Sequence, residues 1–357
     1  MIANNANYLS AITSPEFADM MASIGYFEPE PTIAVATSGG ADSMALLLLA
    51  KEWADAKNGK VISLTVNHNL RTESASEALQ VAGWCKHLGI SHQTLRWEYS
   101  AKPTTAIQAN AREARYSLLT GYCRKNNILH LLTAHHLDDQ VETMFFRLAR
   151  GSNLSGLSAM PAQTILSAVR LLRPLLQAPK SRLVATLQAN FQIWLEDPSN
   201  QNSLYERVHI RNQLAKLPDE IALKQRAKNI INKLGKLRNL LENKLASELT
   251  NAVEIYPMGY AIINLDINIT VQTLSAIAQT LSGEKHPPRS EKMERLHNSL
   301  YNNCYQTLVE GAGTKTLGGL LFERISKTKI LVYREPKAIE NPVQITANTP
   351  TIWDKRF

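Results

Sequence analysis

Six residues carry the densest chemistry in the chain: Ser38-Gly39-Gly40-Ala41-Asp42-Ser43. They stand between a short β-branched apolar run and a stretch that is apolar at nearly every position. Paired glycines let a backbone turn tightly and approach a ligand. A helix beginning at Ala41 would offer unpaired N–H groups and the positive end of its dipole to an anion. Ser38 and Ser43 add hydroxyl donors. Asp42 would repel a phosphate unless a cation lies between them, which points to Mg²⁺. The pattern is neither a Walker A loop nor GxGxxG. A tight strand-to-helix turn capped by serine and aspartate would also account for it.

Three further groups have spacing that matters. Gln108, Arg112 and Arg115 lie at i, i+4 and i+7, so one helix face presents them all; two guanidiniums suit phosphate oxygens, and surface arginines balanced by Glu113 are the alternative. His135, Asp139 and Glu142 face one way if a helix starts near Leu137, with Val141, Met144, Phe145 and Leu148 turned to a core. A His and two carboxylates suit either a metal ion or a cationic amine. His68, ending a strand-like run, could stack on or hydrogen-bond a nucleotide, or cap the strand.

These residues need a scaffold that brings loops to one edge. Strand signals at 33–37, 61–66, 91–97 and 128–134 alternate with helix signals at 41–57, 73–88, 106–125 and 138–150. That order predicts an α/β fold with a doubly wound parallel sheet, whose ligands bind beyond the carboxyl ends of its strands. Residues 151–160 read as a loop, and 180–190 as a short helix. From Leu223 to Leu245 apolar residues recur at helical spacing, with seven basic side chains (Lys224, Arg226, Lys228, Lys233, Lys236, Arg238 and Lys244) against Glu242. Strand-like patches at 260–265 and 318–333 and a helix near 290–301 predict a small α+β domain. The expected division is 1–217 catalytic, 218–250 basic helical linker, 251–336 small C-terminal domain and 337–357 tail.

The 357 residues carry 39 Lys and Arg against 31 Asp and Glu, a net charge of +8 that favours a polyanionic partner. Cys85, Cys123 and Cys304 form no CxxC, so free thiols are expected rather than a disulfide framework or zinc site. No signal-peptide pattern opens the chain and its longest aliphatic run is too short to span a bilayer, so a cytoplasmic protein without membrane contact is expected.

The 38–43 loop resembles the SGGxDS signature of PP-loop ATP pyrophosphatases, which adenylate a carbonyl oxygen and let a nucleophile displace AMP. Val66-Asn67-His68-Asn69-Leu70-Arg71 is similar to the VDHxLR segment of the lysidine synthases, with Asn67 where Asp is usual. Residues 109–116 are similar to AxxARxxRY and 134–143 to AHHxDDQxET. Residues 150–160 are similar to RGS…GLxGM. Trp194-Leu195-Glu196-Asp197-Pro198-Ser199-Asn200, with Tyr205, Arg207 and Arg211, is similar to WxEDPSN…YxR…R. The likeness is dense over 33–211 and returns weakly at 316–319. It implies ATP and Mg²⁺ at Ser38–Ser43 and His68, with Asp42 holding the metal. It implies catalysis by Asp42, Arg112, Arg115, Asp139 and Glu142, and an L-lysine site at His135, Asp139 and Glu142. The remaining substrate is then the wobble cytidine of a tRNA(Ile) with a CAU anticodon, contacted by Arg207, Arg211, Lys228, Lys233 and Lys236. A tRNA thiolase of the same fold is the rival reading, weakened by the lack of paired cysteines. A basic RNA-binding protein without catalysis is the rival from another class. The sequence leaves a homodimer open.

Overall fold

The computed structural model describes residues 9–68, 74–98, 107–152, 154–196, 206–216, 218–284, 286–302, 314–344 and 354. The chain forms two compact units, Met1–Lys236 and Leu237–Phe357.

The first unit is built on β1 (Thr32–Ala36), whose alternation explains three layers. Ile33 and Val35 point into one apolar cluster with α1 (Ser14–Ser23), α2 (Ala41–Asp55), α3 (Ser74–His87) and α7 (Lys180–Ala189). Ala34 points the other way, into a cluster with Leu119 and Cys123 of α4 (Ile107–Lys125). Strands buried on both faces read as continuous apolar runs. Parallel to β1 run β2 (Lys60–Asn67) on one side and β4 (His130–Leu132) on the other. With β3 (Ser91–Arg96), β5 (Gln163–Leu166) and β6 (Val169–Leu172), the order is β3-β2-β1-β4-β6-β5. The chain winds one way from β1 and returns to its other flank through α4. The switch point therefore lies between the carboxyl ends of β1 and β4, which carry the glycine loop and the His135–Glu142 segment.

Two differences from the expected layout concern this unit. The β5–β6 antiparallel hairpin falls in a stretch read without strands. Its turn uses Ser167 and Ala168 at φ 48° and 67°, where Asn-Gly would have signalled it. The unit also runs on to Lys236, because the first half of α9 (Glu220–Ala252) is part of it. Ala227 and Ile231 are buried with Leu137, Val141 and Met144 of α5 (Leu137–Ala149) and Leu214 of α8 (Glu206–Ala215). Between α5 and β5 lies a single helical turn, α6 (Leu154–Leu157).

The second unit is an antiparallel sheet, β7-β8-β11-β10-β9, of β7 (Val253–Tyr256), β8 (Tyr260–Asn264), β9 (Lys315–Leu317), β10 (Leu320–Arg324) and β11 (Lys329–Arg334). Its apolar side packs with α10 (Val271–Ser282) and α11 (Ser290–Asn302). Glu248, near the end of α9, accepts hydrogen bonds from the Thr270 amide (2.7 Å) and hydroxyl (2.9 Å). The expected tail belongs to this unit: fully buried Asp354 takes a two-pronged ion pair from Arg334, at 2.8 and 3.1 Å. No helix among the described residues is long and apolar enough to cross a membrane.

Candidate active site

The glycine loop is shaped by its own serines. Ser43 Oγ accepts from the Ser38 amide (3.1 Å) and donates to the Gly40 carbonyl (3.0 Å), folding the loop over the start of α2. Gly39 sits at φ 86°, and a Cβ there would come within 2.7 Å of Leu195 Cδ1 and Val81 Cγ2. Leu195 crowds it because its amide donates to the Gly39 carbonyl at 2.9 Å. Gly39→Ala therefore combines backbone strain with overpacking, and is expected to cost about 3 kcal/mol and to weaken nucleotide binding. Thermal denaturation with and without ATP measures both.

Beside the loop stands a charge cluster built around His136, the residue before α5. Its ring is almost wholly buried, with Nε2 3.5 Å from Asp42 Oδ2 and from Asp139 Oδ2, and Nδ1 3.5 Å from Asp138 Oδ2. Burial opposes protonation, but Asp138, Asp139 and Asp42 outweigh it and raise the imidazolium pKa to about 10. Burial would raise Asp42 in turn; His136 and Lys180, 3.6 Å away, instead hold it below the ordinary aspartate value. Asp138 is also an ionised group, bound by the Lys180 amide at 2.8 Å and by the Lys224 ammonium from α9. Asp139 caps α5 by accepting from the His136 amide at 3.0 Å.

Glu142, one turn further along α5, is buried and held by both arms of Arg211: Nε to Oε1 at 2.6 Å, Nη2 to Oε2 at 3.2 Å. His135 faces Thr133 Oγ1 at 3.1 Å; burial, with Arg173 and Arg112 nearby, lowers its pKa to about 4 despite Asp139, so it is neutral at pH 7. These side chains do not form a group of three able to hold a metal ion among the described residues. Arg112 lies over the Tyr116 ring, 5.0 Å from its centroid. Arg115 Nε is 3.4 Å from His68 Nε2, and burial together with that guanidinium lowers the His68 pKa to about 4. The Gln108 and Arg207 side chains, Asn69 to Arg71, and 197–205 lie outside the described residues.

Buried polar atoms without partners mark where a ligand belongs. Among the described residues Asp42 Oδ1, His68 Nδ1 and Arg173 Nε are such atoms, following β1, β2 and β6 at the carboxyl edge; Thr143 Oγ1, within α5, and His136 Nδ1, which faces Asp138 Oδ2 at 3.5 Å, also make no hydrogen bond. Arg173 carries no chemical signal in the sequence, where it merely precedes Pro174. Its burial, and its Nη1 bonds to the Pro161 carbonyl (2.8 Å) and Thr164 Oγ1 (3.0 Å), depend on the hairpin that was not read. Lys180, opening α7, carries no signal of the aspartate it will meet, and Lys224, expected only as one of the seven basic side chains of the linker helix, pairs with Asp138.

Residues 11–217 match the PP-loop domain family. The chain is 34% identical to the tRNA(Ile)-lysidine synthase of Orientia tsutsugamushi over 356 residues, covering 96% of this chain and 78% of that protein. It is 33% identical to that of Rickettsia bellii over 335 residues (91% and 74%) and 31% identical to that of the Wolbachia of Brugia malayi over 349 (96% and 79%). The chain belongs to the tRNA(Ile)-lysidine synthase family. It is accordingly a PP-loop enzyme that uses ATP in tRNA modification, and a ligase. The U34-tRNA thiolase NcsA of Methanococcus maripaludis, with a [4Fe-4S] cluster, shares the fold at 16% identity and a TM-score of 0.53, covering 62% of this chain and 79% of that one. Cys85 and Cys123 are separate buried free thiols, and Cys304 lies outside the described residues.

Of the three lysines expected to face tRNA, Lys233 and Lys236 are exposed on α9. Lys228 donates to the Gln177 carbonyl at 3.1 Å, and burial lowers its pKa. Lys228 thus anchors α9 to the catalytic unit.

Proposed function

We propose that this enzyme joins the ε-amine of L-lysine to C2 of the wobble cytidine in a CAU-anticodon tRNA(Ile), acting in the cytoplasm. The cytidine O2 attacks the α-phosphorus of ATP and pyrophosphate leaves. The amine then attacks C2, the C2–O2 bond breaks with AMP as leaving group, and the amine's surplus protons pass to nearby acceptors. The observation that carries the reading is the convergence at one sheet edge of an anion loop, paired arginines and buried carboxylates. Family membership supports the tRNA and ATP components.

Each group has a role that its surroundings favour. The loop amides and Ser38 hold phosphate oxygens. Asp42 Oδ1, buried and unpartnered, fits a Mg²⁺ shared with the phosphates, which would offset their charge when bound. Arg112 and Arg115 balance charge developing on the transferring phosphates. The neutral His68 offers Nδ1 to a base. Asp139 and Glu142 hold the lysine ammonium, which has an ordinary pKa of about 10.4 and must lose a proton to react. Neutral His135 stands beside them as an acceptor.

The direct test is mass analysis of tRNA nucleosides after incubation with ATP and isotopically labelled lysine; unlabelled cytidine throughout would refute the reading. Arg112→Ala is expected to slow adenylation on the order of a hundredfold with little change in tRNA affinity. Build-up of adenylated tRNA at the native rate, with lysine omitted, would remove Arg112 from that step. Replacing Lys233 and Lys236 with glutamine is expected to flatten the log–log salt dependence of tRNA binding by about two units. Lys228→Gln, by contrast, should lower thermal stability and leave that slope in place.

A further inference from the structure

We propose that Arg211 is the specificity latch of the amine site: its guanidinium occupies the Glu142 carboxylate until an RNA phosphate draws it away. This rests on the reading of Glu142 as a lysine ligand. Both Glu142 oxygens are engaged by Arg211, at 2.6 and 3.2 Å, and the carboxylate side chain is only 6% exposed. A bidentate guanidinium is among the strongest partners a carboxylate can have. A substrate ammonium brought to the same buried oxygens meets a cation already there, and the two repel. The ammonium therefore binds with full strength only when the guanidinium leaves.

Arg211 is placed to leave. Its side chain is 45% exposed, on α8, while Glu142 stays buried on α5. In sequence α8 directly precedes α9, which carries the exposed Lys233 and Lys236, on the part of the chain where tRNA phosphates are expected. A phosphate offers the same fork-shaped acceptor as a carboxylate, so the guanidinium exchanges one bidentate partner for another. The lysine site then opens as tRNA docks, and free amine is kept from the nucleotide site when no acceptor base is present. Because such coupling is reciprocal, lysine must tighten tRNA binding by the same factor.

Calorimetry of L-lysine binding to the full chain, without ATP, tests this with and without unmodified CAU-anticodon tRNA(Ile). If the latch is open about a tenth of the time, tRNA tightens lysine binding about tenfold in the native chain. Arg211→Gln should bind lysine about tenfold more tightly without tRNA and respond little to it. Arg211→Lys, a charge without a fork, should fall between. Glu142→Gln should lose lysine binding in every state. Native lysine affinity in a folded Arg211→Gln, or tRNA tightening that persists in it, overturns the latch while leaving the lysine site standing. Absence of lysine binding by all four proteins, with and without tRNA, removes the lysine site itself and the latch with it.

Discussion

Asp42→Asn is expected to cut ATP-dependent AMP release on the order of a thousandfold, with the melting temperature nearly unchanged. Asparagine keeps the size and hydrogen-bonding outline of the side chain at the head of α2. What it removes is one negative charge, at the position where Oδ1 is buried without a partner. Within the protein that charge faces His136 at 3.5 Å and Lys180 at 3.6 Å, but His136 keeps Asp138 and Asp139 when it is gone, so its loss is tolerable for folding. For a phosphate group and its Mg²⁺ the loss is not tolerable, because the carboxylate is what reconciles an acid with an anion site. Pyrophosphate and AMP formed within tenfold of the native rate would show that Asp42 serves the fold alone.

The second large effect belongs to His136. Its native pKa of about 10 lies above the ordinary value of 6.5. The stabilisation it contributes is therefore complete below about pH 6.5 and disappears as pH rises through 10. Urea midpoints should fall between about pH 6.5 and about pH 10. His136→Leu should cost about 3–5 kcal/mol at neutral pH, since it leaves Asp42, Asp138 and Asp139 without their central cation. In that variant the alkaline fall should be much shallower. A native chain whose urea midpoint is level across that interval would exclude a buried imidazolium.

Where sequence and structure agree, the signal was local. The glycine loop announces itself because β1, the turn and α2 are contiguous and each obeys its own propensity. The α3, α7 and α11 bounds fall within a residue or so of their patterns for the same reason. What stayed hidden depends on distant partners. The β5–β6 turn uses Ser167 and Ala168 at positive φ, residues with no turn preference there. Leu148 fits the apolar stripe of α5 yet is 51% exposed. His136 carries no role of its own in the spacing, which singles out His135, Asp139 and Glu142. Its selection as the charged member rests on Asp42, nearly a hundred residues earlier, and on no periodicity. Arg211 is expected from the sequence only as a tRNA contact, since the buried acid it meets lies on another helix.

The reach of α9 into the catalytic unit has a consequence for dividing the polypeptide. Lys224 supplies one of the cations on Asp138, and Ala227 and Ile231 close the apolar space beneath Val141. A fragment that stops at residue 217 loses all three contacts and bares the back of the helix that carries Asp139 and Glu142. Two-piece complementation, with halves expressed separately and reassociating, therefore has its natural cleavage point beyond Lys236. A premature stop in the first half of α9 would act as a null allele even though every motif of the catalytic face had been translated.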